Sequence, residues 1–400
     1  MKNQMQDKAK ILLIEICNYD NHPLGGHLTF AKNLLRSFGN DLLLVGCTSD
    51  DTPVGEWVKK EIRGVEYDFF SVKKIKKVSF KKTLIPIRIK DFLAVYKHRK
   101  KIFSKEIKNI IIQTPEVLFS TEKYWKKRNL ALFLPGVENP FLFSKYSYTK
   151  YFAGIYEKYL FRQMKNAQIV FARADDDAIE KMCLRSKGVM NPKHIVSFPT
   201  RIDTDIFYRT LNKVDFKTKL GIPAEETVIA CSGRLHWGKG WKLLIGSFVL
   251  FLEIIPEAKL YFLGDGSEKD IITSYIKKHS LEGKVVLKGN LGQIQLGDFL
   301  RASDMFVMGS YTEGWSTSLV EAVSCGIPAC VTDFSSATAL VTDGFNGYVC
   351  TKRDKKQFAD LMLKCLEIPD ENLQESAENA KKYSIHRIKE EMLKYWDIAY

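Results

Sequence analysis

Glu313 and Glu321 stand eight positions apart in a stretch that reads as a loop running into a helix, and Gly314, Trp315, Ser316, Thr317 and Ser318 follow the first of them. Before it, residues 305–310 form an apolar, strand-like run, and after it Gly326, Ile327 and Pro328 end the helix. Glu313 therefore sits in the loop and Glu321 on the helix. Unpaired N–H groups at a helix start attract phosphate, whereas carboxylates pair better with sugar hydroxyls. A phosphorylated sugar or a nucleotide meets both requirements. The plain alternative is an ordinary strand-to-helix turn with two solvated glutamates.

Other predicted strand ends carry glycine and charge as well. Gly25, Gly26 and His27 follow the first strand, and Gly233, Arg234, Lys239 and Gly240 follow a strand just past the middle of the chain. Further ends hold Gly264, Asp265 and Gly266, then Gly289 and Asn290. Glycine lets backbone N–H groups approach phosphate, and Arg234 with Lys239 can neutralise a pyrophosphate without a metal. Each piece alone can be a plain turn. Their recurrence at strand ends makes one edge of a sheet the place to look, because open parallel sheets bind ligands outside the carboxyl ends of their strands.

The elements that must position these residues alternate. Strands are predicted near 10–17, 41–48, 65–72, 108–113, 129–134, 167–172 and 193–198, with helices near 26–38, 84–104, 146–165 and 175–185. Strands near 227–232, 259–263, 284–288, 305–309 and 327–332 then alternate with helices near 241–255, 268–279, 295–302, 317–325 and 355–367. This pattern predicts an α/β fold of two facing, doubly wound parallel-sheet domains. The seam falls between Pro199 and Ile222, where Pro, Asp, Thr and Lys interrupt the apolar pattern.

At 400 residues the chain is too long for one compact core, and 45% hydrophobic with 27% charged residues is a globular composition. No window approaches the length of a membrane span, and the apolar run 9–17 is too short for a signal-peptide core, so the expected location is the cytoplasm. The eight cysteines mostly lie in apolar runs with no C-x-x-C pair, which points to reduced structural thiols and no zinc site. Net charge is +14, and residues 73–108 hold fourteen Lys or Arg against Asp91 and Glu106. Apolar residues from Leu84 to Tyr96 interleave with these cations. That pattern suits an anionic membrane surface or acceptor, with peripheral attachment to the inner face of the membrane. A solvated surface helix is the alternative. Nucleic acid is disfavoured, since no zinc-finger, helix-turn-helix or RNP-type pattern accompanies the charge.

Taken in order, these motifs resemble the retaining glycosyltransferases of family 4, which have the GT-B fold of two facing Rossmann-like domains with a cleft between them. The resemblance runs through Gly25 and Gly26, the crossing segment 198–207, Gly233 and Arg234 to Lys239 and Gly240, Gly264 to Gly266, the Glu-x7-Glu pair Glu313 and Glu321, and the segment 343–348. It implies a first domain over 1–205 on the acceptor side, joined by a C-terminal helix over 384–400, and a nucleotide-sugar domain over 206–383. By the same resemblance Arg234 and Lys239 hold the donor diphosphate, Glu313 contacts the donor sugar and Glu321 the ribose. Gly233, Gly266, Asn290, Gly314, Trp315, Ser316, Thr317 and Ser318 line the donor, and Gly25 and Gly26 face its phosphates. No metal and no cofactor beyond the nucleotide sugar are implied, so Asp203 with Asp205 and the run Asp175 to Asp177 are not read as metal sites. The acceptor is a saccharide or lipid-linked hydroxyl compound.

Two departures stand out. Family members often carry a histidine in the loop after the strand at 130–134, where this chain has Pro135, Gly136, Val137, Glu138 and Asn139; Glu138 or Asn139 would have to replace it, and His27, in the first glycine loop, is a separate acceptor-side candidate. After Asp333, two glycines and a glutamate are replaced by Phe334, Ser335, Ser336 and Ala337. A catalytically inactive GT-B protein that binds nucleotide sugars is therefore the second reading. A dinucleotide-dependent oxidoreductase is a weak third, because Gly25 and Gly26 lack the third glycine of that fingerprint.

Overall fold

A computed structural model describes residues 10–20, 26–75, 87–142 and 147–396. The chain divides into two compact units, Met1–Pro199 with His386–Tyr400, and Thr200–Ile385.

The first unit is built on an eight-stranded sheet of order β3-β4-β2-β1-β5-β6-β7-β8. Its strands are β1 (Ile11–Ile14), β2 (Leu42–Thr48), β3 (Trp57–Ile62), β4 (Val65–Lys74), β5 (Asn109–Ile112), β6 (Asn129–Leu134), β7 (Ile169–Ala172) and β8 (Ile195–Ser197). All pairings are parallel except β3 with β4. Strand β3 is absent from the sequence reading because its charged, half-exposed residues do not give an apolar run. A hairpin creates it: Arg63 and Gly64 take φ of 55° and 80°, the paired left-handed turn that joins antiparallel neighbours. Helices Pro115–Ser120 and Glu122–Trp125 were likewise not anticipated. The helix Ile388–Trp396 returns to this unit and packs on the helix Gly26–Phe38, with Lys389 Nζ 2.8 Å from Asp41 Oδ2 and Trp396 fully buried.

The second unit has six parallel strands in the order β11-β10-β9-β12-β13-β14. They are β9 (Val228–Ser232), β10 (Lys259–Leu263), β11 (Val285–Gly289), β12 (Met305–Met308), β13 (Ala329–Thr332) and β14 (Gly347–Cys350). Successive residues serve opposite faces, as strand geometry requires. Val228, Ala230, Phe306 and Met308 enter one core, while Ile229, Cys231, Met305 and Val307 enter the other. Both faces are therefore apolar at the central strands, which is why those strands read as continuous hydrophobic runs; the short, half-buried edge strand β14 gives no such run and is absent from the sequence reading.

The division between units lies at Pro199, ahead of residue 205, for a definable reason. Ile202 N donates to Tyr383 O at 2.9 Å and Ile385 N donates to Ile202 O at 2.8 Å, so the two crossing stretches run side by side and residues 200–205 belong with the second unit. All eight cysteines are buried and free. Asp175 accepts from Ala178 N at 2.8 Å and caps the helix Asp176–Arg185, while Asp177 pairs with Lys181 at 2.6 Å. Among the described residues no helix is long and apolar enough to cross a membrane.

Candidate active site

Strand order determines where a site can form. In the second sheet β9 and β12 are adjacent, but the chain leaves β9 toward β10 on one side and reaches β12 on the other. Loops leaving such neighbours diverge and open a crevice at the carboxyl ends. The loop after β9 carries Gly233, Arg234 and Lys239, and the loop after β12 carries Glu313.

The two loops meet through charge. Lys239 Nζ lies 2.5 Å from Glu313 Oε1, and Ser310 Oγ donates to the same oxygen at 2.6 Å. Glu313 is thus held from two sides, with its side chain only 15% exposed. The backbones meet as well. Tyr311 N donates to Gly238 O at 2.9 Å, and a Cβ on Gly240, whose φ is 66°, would lie 1.8 Å from Gly309 O. Only glycine permits that approach. Lys239 closes a short 3-10 turn, Trp237–Lys239, capped by His236 Nδ1, which accepts from Gly238 N at 3.2 Å. Arg234 is exposed, with no hydrogen bond or ion pair among the described residues. Gly266 is pressed to the back of this loop, since a Cβ there would lie 2.3 Å from Leu235 O. Asn290 is exposed just past β11, and no hydrogen bond joins it to Lys239 or Glu313.

Beyond Glu313 the chain turns into the helix Thr317–Ser324, with Ser316 as its N-cap accepting from Leu319 N at 3.3 Å. Thr317 and Ser318 are half-buried, and Trp315 packs against Tyr383 with ring centroids 5.8 Å apart. Glu321 lies on this helix, 8% exposed. Among the described residues no cation offsets its burial, which pushes its carboxyl from an ordinary 4.5 up to about 8. The two glutamates thus differ in kind: Glu313 is ion-paired, and Glu321 is a buried acid that keeps its proton at neutral pH.

Three residues that the sequence reading did not assign hold this arrangement. Ser335 Oγ lies 3.0 Å and 2.7 Å from the carbonyls of Glu313 and Gly314, and Ser336 Oγ accepts from Ser316 N at 3.1 Å. The departure after Asp333 therefore supplies hydroxyls that tie down the Glu313 loop. Arg353 donates to Gly309 O at 2.7 Å and Ser310 O at 3.0 Å and stacks 3.6 Å from the Tyr311 ring centroid. A lone arginine past the last strand gives no local signal of that contact.

The first-unit candidates form no such cluster. Gly25 lies outside the described residues, as does the His27 side chain; Gly26 begins the helix Gly26–Phe38. Asn139 is buried and committed to its own loop, donating to Ala153 O at 2.9 Å and accepting from Phe141 N at 3.0 Å. Glu138 is exposed, 4.0 Å from Arg185 Nη1.

Residues 212–385 match the family model described as glycosyl transferases group 1. Over 190 residues the chain is 27% identical to UDP-Gal:alpha-D-GlcNAc-diphosphoundecaprenol alpha-1,3-galactosyltransferase of Escherichia coli, a match spanning 46% of this chain and 48% of that one. It is 28% identical over 180 residues to mannosylfructose-phosphate synthase of Agrobacterium fabrum, covering 43% and 40%. The chain thus spans about half, or less, of the length of these curated relatives. Whole-chain likeness comes from solved structures: sucrose-phosphate synthase from Thermosynechococcus elongatus, at TM-score 0.72 and 16% identity over 98% of both chains, and Anabaena HepE in complex with UDP, at TM-score 0.70 and 16% identity over 97% and 99%. At that identity the likeness establishes the fold. The group 1 match thus covers the unit that holds Lys239, Glu313 and Glu321, and the chain as a whole has the GT-B fold of these solved structures.

Proposed function

We propose that the protein is a retaining, metal-independent glycosyltransferase that moves a sugar from a nucleotide-diphosphate sugar to a hydroxyl of a saccharide or lipid-linked acceptor, in polysaccharide, lipopolysaccharide or glycolipid synthesis. The observation that carries this reading is the Lys239–Glu313 pair at the strand-order switch of the second unit, with the unpaired Arg234 on the same loop. Transfer from such a donor requires neutralisation of a diphosphate leaving group, an oriented anomeric carbon and exclusion of water. Arg234 and Lys239 supply the positive charge. As the diphosphate takes over Lys239, Glu313 is released to accept from hydroxyls of the donor sugar. Glu321, protonated below about pH 8, can both donate to and accept from the vicinal hydroxyls of a ribose. The bond from the anomeric carbon to the acceptor oxygen forms as its bond to the diphosphate breaks, and the departing phosphate oxygen takes the acceptor proton. Names of the relatives support the substrate class: one specifies a UDP-sugar donor and a diphosphoundecaprenol-linked acceptor, and the HepE complex holds UDP. The basic segment 73–108 would keep the enzyme near an anionic membrane carrying such acceptors; its residues 76–86 lie outside the described structure.

A panel of nucleotide sugars offered with lipid-linked and oligosaccharide acceptors, read by mass spectrometry, tests the activity. Thermal shift with nucleoside diphosphates runs beside it, since ligand at a hundredfold its Kd adds about 2.7 kcal/mol of stability. Stabilisation by a nucleoside diphosphate without transfer to any acceptor would favour the non-catalytic binding protein. Stabilisation by NAD and by no nucleoside diphosphate would sink both.

A further inference from the structure

The helix Ala153–Met164, preceded by the 3-10 turn Ser147–Phe152, buries Phe161 and Met164 in the core of the first unit. Its other side is apolar too. Tyr148, Tyr151, Phe152, Ile155 and Tyr159 recur at three- and four-residue steps along one side, and Tyr151 is 87%, Ile155 71% and Phe152 54% exposed. A surface helix of a soluble domain normally turns its polar face outward. Exposed apolar surface that runs on in a stripe marks an interaction site, whereas single exposed side chains do not.

Cations frame this stripe. Lys150, Lys158 and Arg162 are exposed, while the nearby acids are engaged: Glu157 by Arg185 at 3.1 Å, and Glu122, which accepts from the Tyr159 hydroxyl at 2.6 Å, by Lys126 at 2.5 Å. A second stripe lies on the helix Ile87–Ile102, where Ile89, Leu93 and Tyr96 are exposed at one-turn intervals among exposed Lys90, Lys97, Lys100 and Lys101. Its acid, Asp91, is taken by Lys73. The helix Pro115–Ser120 links the two: Arg88 donates to Glu116 at 2.9 Å, and Phe119 meets the Tyr156 and Tyr159 rings at 5.8 and 4.7 Å.

We propose that this face of the first unit is an interfacial membrane-binding surface, with Tyr151, Phe152 and Ile155 entering the headgroup–acyl boundary of an anionic bilayer and the flanking lysines and Arg162 meeting lipid phosphates. Rings with polar tips beside snorkelling cations suit that boundary. Charge complementarity selects an anionic bilayer over a second copy of this chain, which would set lysines against lysines. The proposal adds an insertion element at 148–159 to the basic segment already noted, and it stands on the first unit alone, independent of the donor-site reading.

Flotation of the full chain with vesicles of phosphatidylglycerol and phosphatidylcholine in equal parts, against phosphatidylcholine alone, tests it. The wild type is expected to float with the anionic vesicles only. Y151S/F152S/I155S should lose that binding by roughly tenfold or more with an unchanged thermal transition, and Y151W/F152W, which keeps the rings, should retain it. Unchanged binding of the folded serine variant would overturn the proposal, as would equal flotation with both vesicle types. Self-association in size-exclusion chromatography that the serine variant abolishes, with no vesicle binding, would assign the face to a second copy instead.

Discussion

At the residue scale, Lys239 and Arg234 are not equivalent despite sharing one loop. Lys239 neutralises Glu313, so under the proposed function Lys239→Ala would remove a phosphate partner and also bare a carboxylate beside the diphosphate. Arg234→Ala removes a charge with no other partner among the described residues. Nucleoside diphosphate binding, read by calorimetry, should therefore weaken by about 1.5–3 kcal/mol in Lys239→Ala and by less in Arg234→Ala. Adding Glu313→Gln to Lys239→Ala should recover part of the loss; equal losses in all three variants would contradict the pairing. Glu321 supports a second prediction. Its carboxyl keeps a proton to about pH 8 when folded and to its ordinary 4.5 when unfolded. The stability tied to that proton is fully present below about 4.5, and it is lost as pH rises to about 8, by on the order of 1.4 kcal/mol per unit. Glu321→Gln cannot ionise, so in urea denaturation its stability relative to wild type should rise between about pH 5 and about pH 8. A pH-independent difference would place the carboxyl in water.

At the scale of elements, the site depends on two loops in backbone contact. Gly240 takes φ of 66° with Gly309 O where its Cβ would be, and Arg353 binds that same carbonyl from the loop after β14. Gly240→Ala should therefore cost at least about 2 kcal/mol by chemical denaturation, since neither backbone can yield without breaking the β9–β12 junction. Gly314→Ala is the control: nothing lies within 4 Å of its Cβ position, and its stability should stay within about 0.5 kcal/mol of wild type. A small cost at Gly240 would mean that the loops separate easily. The glycines at these strand ends were legible as special in the sequence, but their immediate use is loop-to-loop contact, seen also at Gly266 against Leu235.

At the scale of the whole molecule, the second unit holds two complete cores of its own, one on each face of its sheet, and the stretches that enter and leave it are hydrogen-bonded to each other at Ile202, Tyr383 and Ile385. Residues 200–385 expressed alone should unfold in one cooperative transition and bind a nucleoside diphosphate within about tenfold of the full chain. A fragment that folds without binding would mean that the first unit supplies essential donor contacts. The two doubly wound sheets were legible because strands buried on both faces announce themselves as apolar runs between helical stretches. Strand β3 was not, since its pairing comes from the Arg63–Gly64 turn and its side chains are mixed. Asn139, read as an acceptor-side group, instead braces its own loop, a use set by the nearby Ala153 carbonyl and invisible in its neighbours along the chain.

The sequence by itself determined the alternation of strands and helices, the basic segment, and the motif that puts Glu313 in a loop and Glu321 on a helix, because periodicity, capping residues and charge are local properties. Only the tertiary structure decided that Lys239 pairs with Glu313 across 74 positions, that Ser335 and Ser336 hold the loop between the two glutamates, and that Glu321 is buried. Those outcomes follow from the placement of β12 beside β9 and of β13 next to it. Strand order arises from packing the whole sheet at once, and no local window of residues contains it.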